Sequence, residues 1–166
     1  MHTASHLPRA DRPTMHGYGL RQDEERLLPW SWAADRLLQS HNYWVATSGS
    51  DGRPHLAAVW GVWWQDQFVF STGGRSAKAR NLATDSRCSV APEGAQESVV
   101  LHGVARRLIE PTDVESIRDV YVSKYGSGFP DENDNPLFAV RPHRVIAVID
   151  REGQFTETAT RFTFDR

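Results

Sequence analysis

Residues 71–82, STGGRSAKARNL, place hydroxyls, two glycines and three cations directly after an apolar stretch. We interpret this order as a strand that ends in a turn and continues into a short helix. Thr72 or Ser76 is suited to cap that helix, and the backbone amides that follow, as far as Ala79, would point at one spot. A phosphate there would gain the positive end of the helix dipole and the ammonium of Lys78. The segment is therefore a candidate phosphate site.

The same segment has a plainer interpretation, in which a tight turn leads into a solvated helix face rich in basic side chains. It matches neither the Walker pattern nor the G-x-G-x-x-G pattern of dinucleotide-binding proteins. The residue types alone therefore leave both interpretations open.

Residues 53–64, RPHLAAVWGVWW, form a second candidate, a long strand that follows another strand at 43–48 and the turn GSDG. Alternation predicts two faces. One face carries Leu56, Ala58, Trp60, Val62 and Trp64, and the other carries His55, Ala57, Val59, Gly61 and Trp63. Both faces are largely apolar, so the strand is expected between packed layers or at an interface. Such a strand could line an apolar pocket, but core or dimer packing explains the same tryptophans.

The remaining elements must position these two segments. They are a helix from about residue 30, strands at 43–48, 53–64 and 68–72, a helix at about 76–84, strands at 87–92 and 97–108, a helix from Thr112, and strands at 144–150 and 159–166. Gly103 predicts a bend or bulge, and Thr112 with Glu115 predicts a capping box. Residues 1–29 predict an arm that is flexible or lies on a neighbouring subunit, which leaves residues 30–166 as the folded domain. Strands interrupted by helices in this way favour a small closed or half-open β-barrel.

The bulk composition excludes several classes of protein. The 166 residues are enough for one domain, and the net charge of −2 gives no general attraction to nucleic acid. Cys88 is the only cysteine, so the chain has no internal disulfide and no cysteine-built zinc site. No apolar run approaches the ~18–20 residues of a membrane helix, and residues 1–19 lack an apolar signal core. We therefore expect a cytoplasmic protein, without a membrane or nucleic-acid partner and without a metal site.

The succession GSDGRPH, VWGVWW, FSTGGRSAKARNL and DSRCSV strongly resembles the split-barrel flavin and deazaflavin oxidoreductases. This superfamily includes the pyridoxamine 5′-phosphate oxidases, and the nearest-looking branch is the actinobacterial deazaflavin-dependent one. The resemblance extends from about Trp32 to the C-terminus. It implies a mainly β fold with peripheral helices, a six-stranded antiparallel split β-barrel, and a homodimer with cofactor sites at its interface. The implied cofactor is FMN or coenzyme F-420.

The resemblance also implies roles for individual residues. Ser76 and Lys78 would hold the cofactor phosphate with help from Arg75, and Ser71 and Thr72 would lie near the ribityl chain.

Three further residues are assigned in the same way, and none is assigned to catalysis. Val59 and Trp60 would pack along the tricyclic ring, and Arg161 would reach the site from the partner subunit. The implied activity is hydride transfer to or from a small hydrophobic or conjugated substrate. The alternative is a non-enzymatic protein that binds or stores a flavin, a deazaflavin or haem.

Overall fold

The computed structural model describes residues 7–126 and 128–165. Within these ranges the chain forms nine strands and four helices. In chain order they are β1 (Arg9–Asp11), α1 (Trp30–Gln39), β2 (Tyr43–Ser48), β3 (Pro54–Val59), β4 (Gly61–Trp64), β5 (Gln67–Ser71), α2 (Ala77–Thr84), β6 (Arg87–Pro92), β7 (Glu97–Arg107), α3 (Pro111–Tyr125), β8 (Leu137–Ile149), α4 (Phe155–Thr158) and β9 (Thr160–Thr163). No helix in the described ranges is long and apolar enough to cross a membrane.

All strand pairs are antiparallel, and the sheet follows the order β1-β9-β8-β7-β6-β2-β3, while β5 pairs with both β8 and β4. Strands β3 and β4 are consecutive but pair with different partners, β2 and β5. The sheet therefore curls round so that β3 and β4, which are the last strands of its two branches, are separated only by Trp60. The two strands do not pair with each other there, and the sheet stays unclosed. This is the predicted split β-barrel with peripheral helices.

The interior of the barrel is filled by alternate side chains of the strands. In β2, Tyr43 and Val45 are fully buried while Trp44, between them, is exposed. Helix α1 closes one opening with Ala33 and Leu37, which are also fully buried. Alternation of this kind is what a sheet with one buried face produces.

The long tryptophan-rich strand predicted at 53–64 is two strands in different environments. Val62 and Trp64 of β4 are buried against Ile117 and Tyr121 of α3. The outward residues of β3 remain open to solvent, with Leu56 62% exposed. Within this chain, the predicted packing on both faces of the strand is therefore present for β4 and absent for β3.

The structure corrects the predicted start of α3. The helix begins at Pro111, Glu110 occupies the N-cap position, and no side chain caps it. The Thr112–Glu115 capping box is therefore wrong. Proline has a backbone angle already suited to the first helical position, which explains why the N-cap lies two residues earlier than predicted.

Strand β8 begins at Leu137, seven residues before the predicted start at 144, and it continues through Pro142. The bulge predicted at Gly103 is confirmed, because the β7–β8 register shifts between His102 and Gly103 and leaves His143 as the extra residue. A Cβ on Gly103 would lie 2.5 Å from the carbonyl oxygen of Arg141, so the close approach requires glycine. The bulge accommodates a proline that would otherwise end the strand.

The described part of the N-terminal arm packs on its own barrel. Strand β1 pairs with β9, and Leu20 and Leu28 are buried. The Arg12 guanidinium donates hydrogen bonds to the carbonyl oxygens of Glu157 (2.7 Å) and Ala159 (2.8 Å). The first six residues of the predicted arm lie outside the described ranges.

Candidate functional site

The predicted phosphate site lies at residues 71–79, where the chain passes from the end of β5 into α2, and we call this segment the corner. Ser76 is the N-cap residue, and its Oγ accepts a hydrogen bond from the Ala79 N–H at 3.2 Å. The same Oγ lies 3.0 Å from the Thr72 hydroxyl, which ties the end of the strand to the start of the helix. Of the two candidate capping residues, Ser76 is the one that caps α2.

The loop at residues 131–136 fixes the corner from outside. The Gly74 N–H donates to the carbonyl oxygen of Asp134 at 2.9 Å, and the Thr72 N–H donates to that of Pro136 at 3.3 Å. The Ser71 hydroxyl donates to the Asn135 carbonyl oxygen at 3.0 Å. This acidic loop thus supports the corner through its backbone.

The chemistry of the corner suits an anion. The first N–H groups of a helix, here those of Ala77 and Lys78, have no partner inside the helix. Lys78 is partly buried and Arg75 is exposed, and among the described residues neither cation has a carboxylate within ion-pair distance. A phosphate group binds well to free N–H donors beside positive charge that no carboxylate neutralises. The residues present therefore fit the phosphate of the predicted cofactor, FMN or coenzyme F-420.

The corner adjoins Trp60. Because Gly61 pairs with Phe70 in the β4–β5 ladder, the next positions along the two strands bring Trp60 and Ser71 side by side. The Val59 side chain is buried in the core, but Trp60 is 45% exposed. Val59 and Trp60 were both predicted to contact the cofactor ring, and of the two only the Trp60 side chain is accessible to a ligand.

Three aromatic side chains surround the Trp60 indole, and the most distant is Tyr121, with ring centroids 6.5 Å apart. The Tyr125 ring stacks on it with centroids 4.8 Å apart and planes within 5°, and His41 meets it edge-on at 5.5 Å. Tyr125 covers one face of the indole, and 45% of the Trp60 surface remains exposed. A flat, partly exposed indole of this kind can stack on a planar ring system.

A half-buried lysine contacts this aromatic group. The Lys124 Nζ donates to the Tyr43 hydroxyl at 2.7 Å and to the Gly61 carbonyl oxygen at 3.0 Å. Burial lowers the pKa of Lys124 to about 8 and raises the pKa of Tyr43. Sequence reasoning missed Lys124 and His41, and it placed Tyr125 only on the buried stripe of α3. The position of Lys124 between Tyr121 and Tyr125 was the one signal available.

Within one chain Arg161 lies far from the corner, and its approach to the corner of the partner subunit stays a prediction. It lies on β9 opposite Ile146 of β8, whereas Ser71 lies opposite Leu137, a separation on the order of 30 Å along the strand. Its guanidinium forms a paired hydrogen bond with the Asp11 carboxylate, at 2.7 and 3.0 Å, which holds the pKa of that carboxyl below its usual value.

The described histidines and the cysteine do not all converge on one site. His102 lines a cavity of about 390 Å³, where its Nδ1 lies 2.9 Å from the Ser89 hydroxyl. Burial and the neighbouring Arg144 lower the pKa of His102. Burial raises the pKa of Cys88 to about 12, so its thiol stays protonated. Over the described ranges, no three His, Cys, Asp or Glu side chains are grouped to hold a metal ion.

Solved structures share this architecture. A conserved hypothetical protein, Rv2991 from Mycobacterium tuberculosis, is 25% identical with a TM-score of 0.67, over 79% of this chain and 91% of that one. A heme binding protein from Mycobacterium smegmatis is 22% identical with a TM-score of 0.64, over 77% of this chain and 57% of that one. An F420 reductase is 20% identical with a TM-score of 0.54, over 67% of this chain and 94% of that one. A search of curated proteins finds no match.

A match to a protein family agrees with the fold and with the sequence motifs between residues 49 and 90. The family model for pyridoxamine 5′-phosphate oxidase matches residues 33–149, which is more than half of the sequence and spans both the corner and Trp60. The chain therefore belongs to the pyridoxamine 5′-phosphate oxidase family, whose split-barrel fold it has.

Proposed function

We propose that the protein is a homodimeric oxidoreductase that binds FMN or coenzyme F-420 and transfers hydride to or from a small hydrophobic or conjugated substrate. The observation that carries the proposal is the corner at 71–79, where unpaired helix amides meet the uncompensated Lys78 beside an exposed indole. The deazaflavin is the favoured cofactor, on the resemblance of the sequence motifs to that branch.

In this proposal each residue of the corner has a task. Ser76, Lys78 and the first amides of α2 hold the cofactor phosphate, with Arg75 as a second cation. Ser71 and Thr72 lie beside the ribityl chain, and their hydroxyls are already oriented by Asn135 and Ser76.

Trp60 supplies a wall for the ring, and Val59, whose side chain is buried in the core, contributes backbone contact. The bound ring would supply the hydride chemistry, while the protein binds it, orients it and excludes water. This division explains why the chain needs no acid–base pair of its own at this point.

A dimer would complete the pocket for the ring. Trp44, Leu56 and Trp60 are 44%, 62% and 45% exposed, and Trp44 pairs with the exposed Ala58 across the β2–β3 ladder. They form an outward apolar surface, which we call the β2–β3 face, beside the open corner. Contiguous exposed apolar surface favours association with a second copy. Substitution of Leu56 by Glu should shift sedimentation from dimer to monomer, and a persistent dimer would count against this interface.

A second candidate function is haem binding without turnover. The observation that favours it is His102, partly buried in its cavity, and the M. smegmatis relative is named as a heme binding protein. Titration of the purified full chain with FMN, coenzyme F-420 and haem, side by side, separates these candidates. Tight binding of haem alone would overturn the oxidoreductase proposal.

The phosphate assignment has its own test. Lys78→Ala should weaken FMN binding by roughly ten- to a hundredfold, because charged hydrogen bonds contribute about 1.5–3 kcal/mol. It should also reduce the chemical-shift changes that inorganic phosphate produces at the amides of Ala77 and Lys78. Arg53→Ala, an exposed cation in the β2–β3 turn, controls for overall charge. Unchanged FMN affinity in Lys78→Ala would contradict the assignment.

A further inference from the structure

The break between β3 and β4 leaves the backbone of Gly61 without a strand partner on one side, and α3 supplies the missing bonds. The Gly61 N–H donates to the Tyr125 hydroxyl at 3.0 Å. The Gly61 carbonyl oxygen accepts from Lys124 Nζ at 3.0 Å and lies 2.9 Å from the Tyr125 hydroxyl. That hydroxyl also lies 2.9 Å from the carbonyl oxygen of His41, and its single hydrogen serves one of the two carbonyls. Both polar groups of Gly61 are thus satisfied by two adjacent helix side chains.

Gly61 is held equally firmly from the opposite side. A Cβ at this position would lie 2.3 Å from Phe68 Cζ and 2.9 Å from the Val69 carbonyl oxygen. The residue that follows Trp60 is therefore fixed between β5 and the end of α3. Because Trp60 is its direct neighbour in the chain, the position of Gly61 sets the position of the indole.

Lys124 is itself anchored. Its Nζ donates to the Tyr43 hydroxyl, which in turn donates to the Leu37 carbonyl oxygen at 2.6 Å. The ammonium lies 4.7 Å from the centre of the Tyr43 ring and 5.3 Å from that of Tyr125. Among the described residues no carboxylate pairs with it. The lysine is thus directed at a backbone carbonyl and two aromatic faces, a use of its charge that simple solubility does not explain.

Tyr125 joins the two halves of this arrangement. Its hydroxyl contacts Gly61, and its ring stacks on Trp60 at 4.8 Å. We propose that Lys124 and Tyr125, which we call the α3 clamp, hold Gly61 at the barrel split and thereby position Trp60 for the bound ring. The clamp residues are positioning residues, since they act through Gly61 and Trp60. This inference rests on the proposed function, in which Trp60 packs along the cofactor ring.

The clamp is tested with Tyr125→Phe, which keeps the stacked ring and removes the hydroxyl, and with Lys124→Met, which keeps the length and removes the donors. Ser123→Ala, exposed on the same helix, is the matched control. Amide hydrogen exchange at Gly61 in the full chain reports the clamp directly. We expect exchange to rise about tenfold in Tyr125→Phe, as for loss of one hydrogen bond, and to stay unchanged in the control.

Cofactor binding separates positioning from simple stability. Both clamp variants should weaken FMN binding severalfold and reduce the quenching of bound-flavin fluorescence by Trp60, while the response of the α2 amides to inorganic phosphate stays at the wild-type level. Lys78→Ala should give the opposite pattern, with phosphate binding lost and quenching of the flavin that still binds retained. Coenzyme F-420 serves as the second probe.

Three outcomes would overturn parts of the proposal. Unchanged exchange at Gly61 in both variants would refute the clamp. Faster exchange with unchanged FMN and coenzyme F-420 binding would refute the positioning role. If the wild-type chain bound neither cofactor, the proposed function and the positioning role would both fall, whereas faster exchange at Gly61 would still support the clamp.

Discussion

The corner at residues 71–79 and the strand break at Trp60–Gly61 lie side by side but are built in opposite ways. The corner is local, since its hydroxyls, amides and cations come from nine consecutive residues braced by one loop. The break is assembled from distant parts of the chain, with His41, Trp60–Gly61 and Lys124–Tyr125 meeting in space. A site of the first kind can be recognised from a short motif, and a site of the second kind requires the fold.

The contrast extends to tolerance of change. Apart from the buried Thr72, the side chains that hold the corner are half-buried or exposed, and the loop at residues 131–136 supports it through backbone carbonyl groups. The break combines close backbone packing with buried polar groups. Substitutions at the break should therefore lower the free energy of unfolding more than substitutions at the corner. Four measurements, given from the largest expected effect to the smallest, test this ranking.

The largest effect is expected for Gly61→Ala. The new Cβ would overlap Phe68 and the Val69 carbonyl, and overpacking against backbone lowers the free energy of unfolding by about 3 kcal/mol. Urea denaturation followed by circular dichroism measures it. Gly94→Ala is the control, because a Cβ there meets nothing within 4 Å. A change as small as that of the control would show that the break is not tightly packed.

The second effect is expected for Tyr43→Phe, which removes the hydroxyl between Lys124 and the Leu37 carbonyl. Two polar groups lose a partner in a buried setting, so the free energy of unfolding should fall by about 2 kcal/mol. Tyr18→Phe, at a tyrosine that is 61% exposed, should change it little. Equal effects in the two variants would mean that solvent already reaches Lys124.

The same contrast explains what the sequence could predict. Alternating hydrophobicity located most strands, Ser76 was one of two predicted caps, and Gly103 marked the bulge. The prediction failed where contacts with another strand changed the structure that a residue type usually favours. The last but one strand was predicted to begin at residue 144, whereas the bulge opposite Gly103 lets β8 begin at Leu137 and pass through Pro142.

The tryptophan-rich stretch shows the other limit. Alternation treats 53–64 as one strand, but the bonds that divide it at Trp60 come from residues about sixty positions later in the chain. The position of Lys124 between Tyr121 and Tyr125 is not enough to distinguish it from a solvated lysine on the surface of a helix. Its role depends on where α3 docks, and that is a property of the tertiary packing.

The third effect lies at the corner and should be smaller. Ser76→Ala removes the N-cap of α2 and the bond to Thr72, and loss of an N-cap typically lowers the free energy of unfolding by about 1 kcal/mol. Ser76→Asn, which keeps a good capping group, should recover most of the loss. If Ser76→Ala proved more damaging than Tyr43→Phe, the proposed order of the two regions would be reversed.

The smallest effect concerns pH and isolates Lys124. Its pKa of about 8 in the folded chain lies below the ordinary value of 10.5, so between these values the unfolded chain binds more protons and stability contributed by this group rises with pH. Burial raises the pKa of Cys88 and Tyr43, so those groups oppose the rise above about pH 9. The informative quantity is therefore the difference in unfolding free energy between wild type and Lys124→Met, measured from pH 7 to pH 10. A difference that grows in favour of wild type with rising pH locates the lysine in the buried break, whereas parallel curves would place its ammonium in solvent and detach α3 from Gly61.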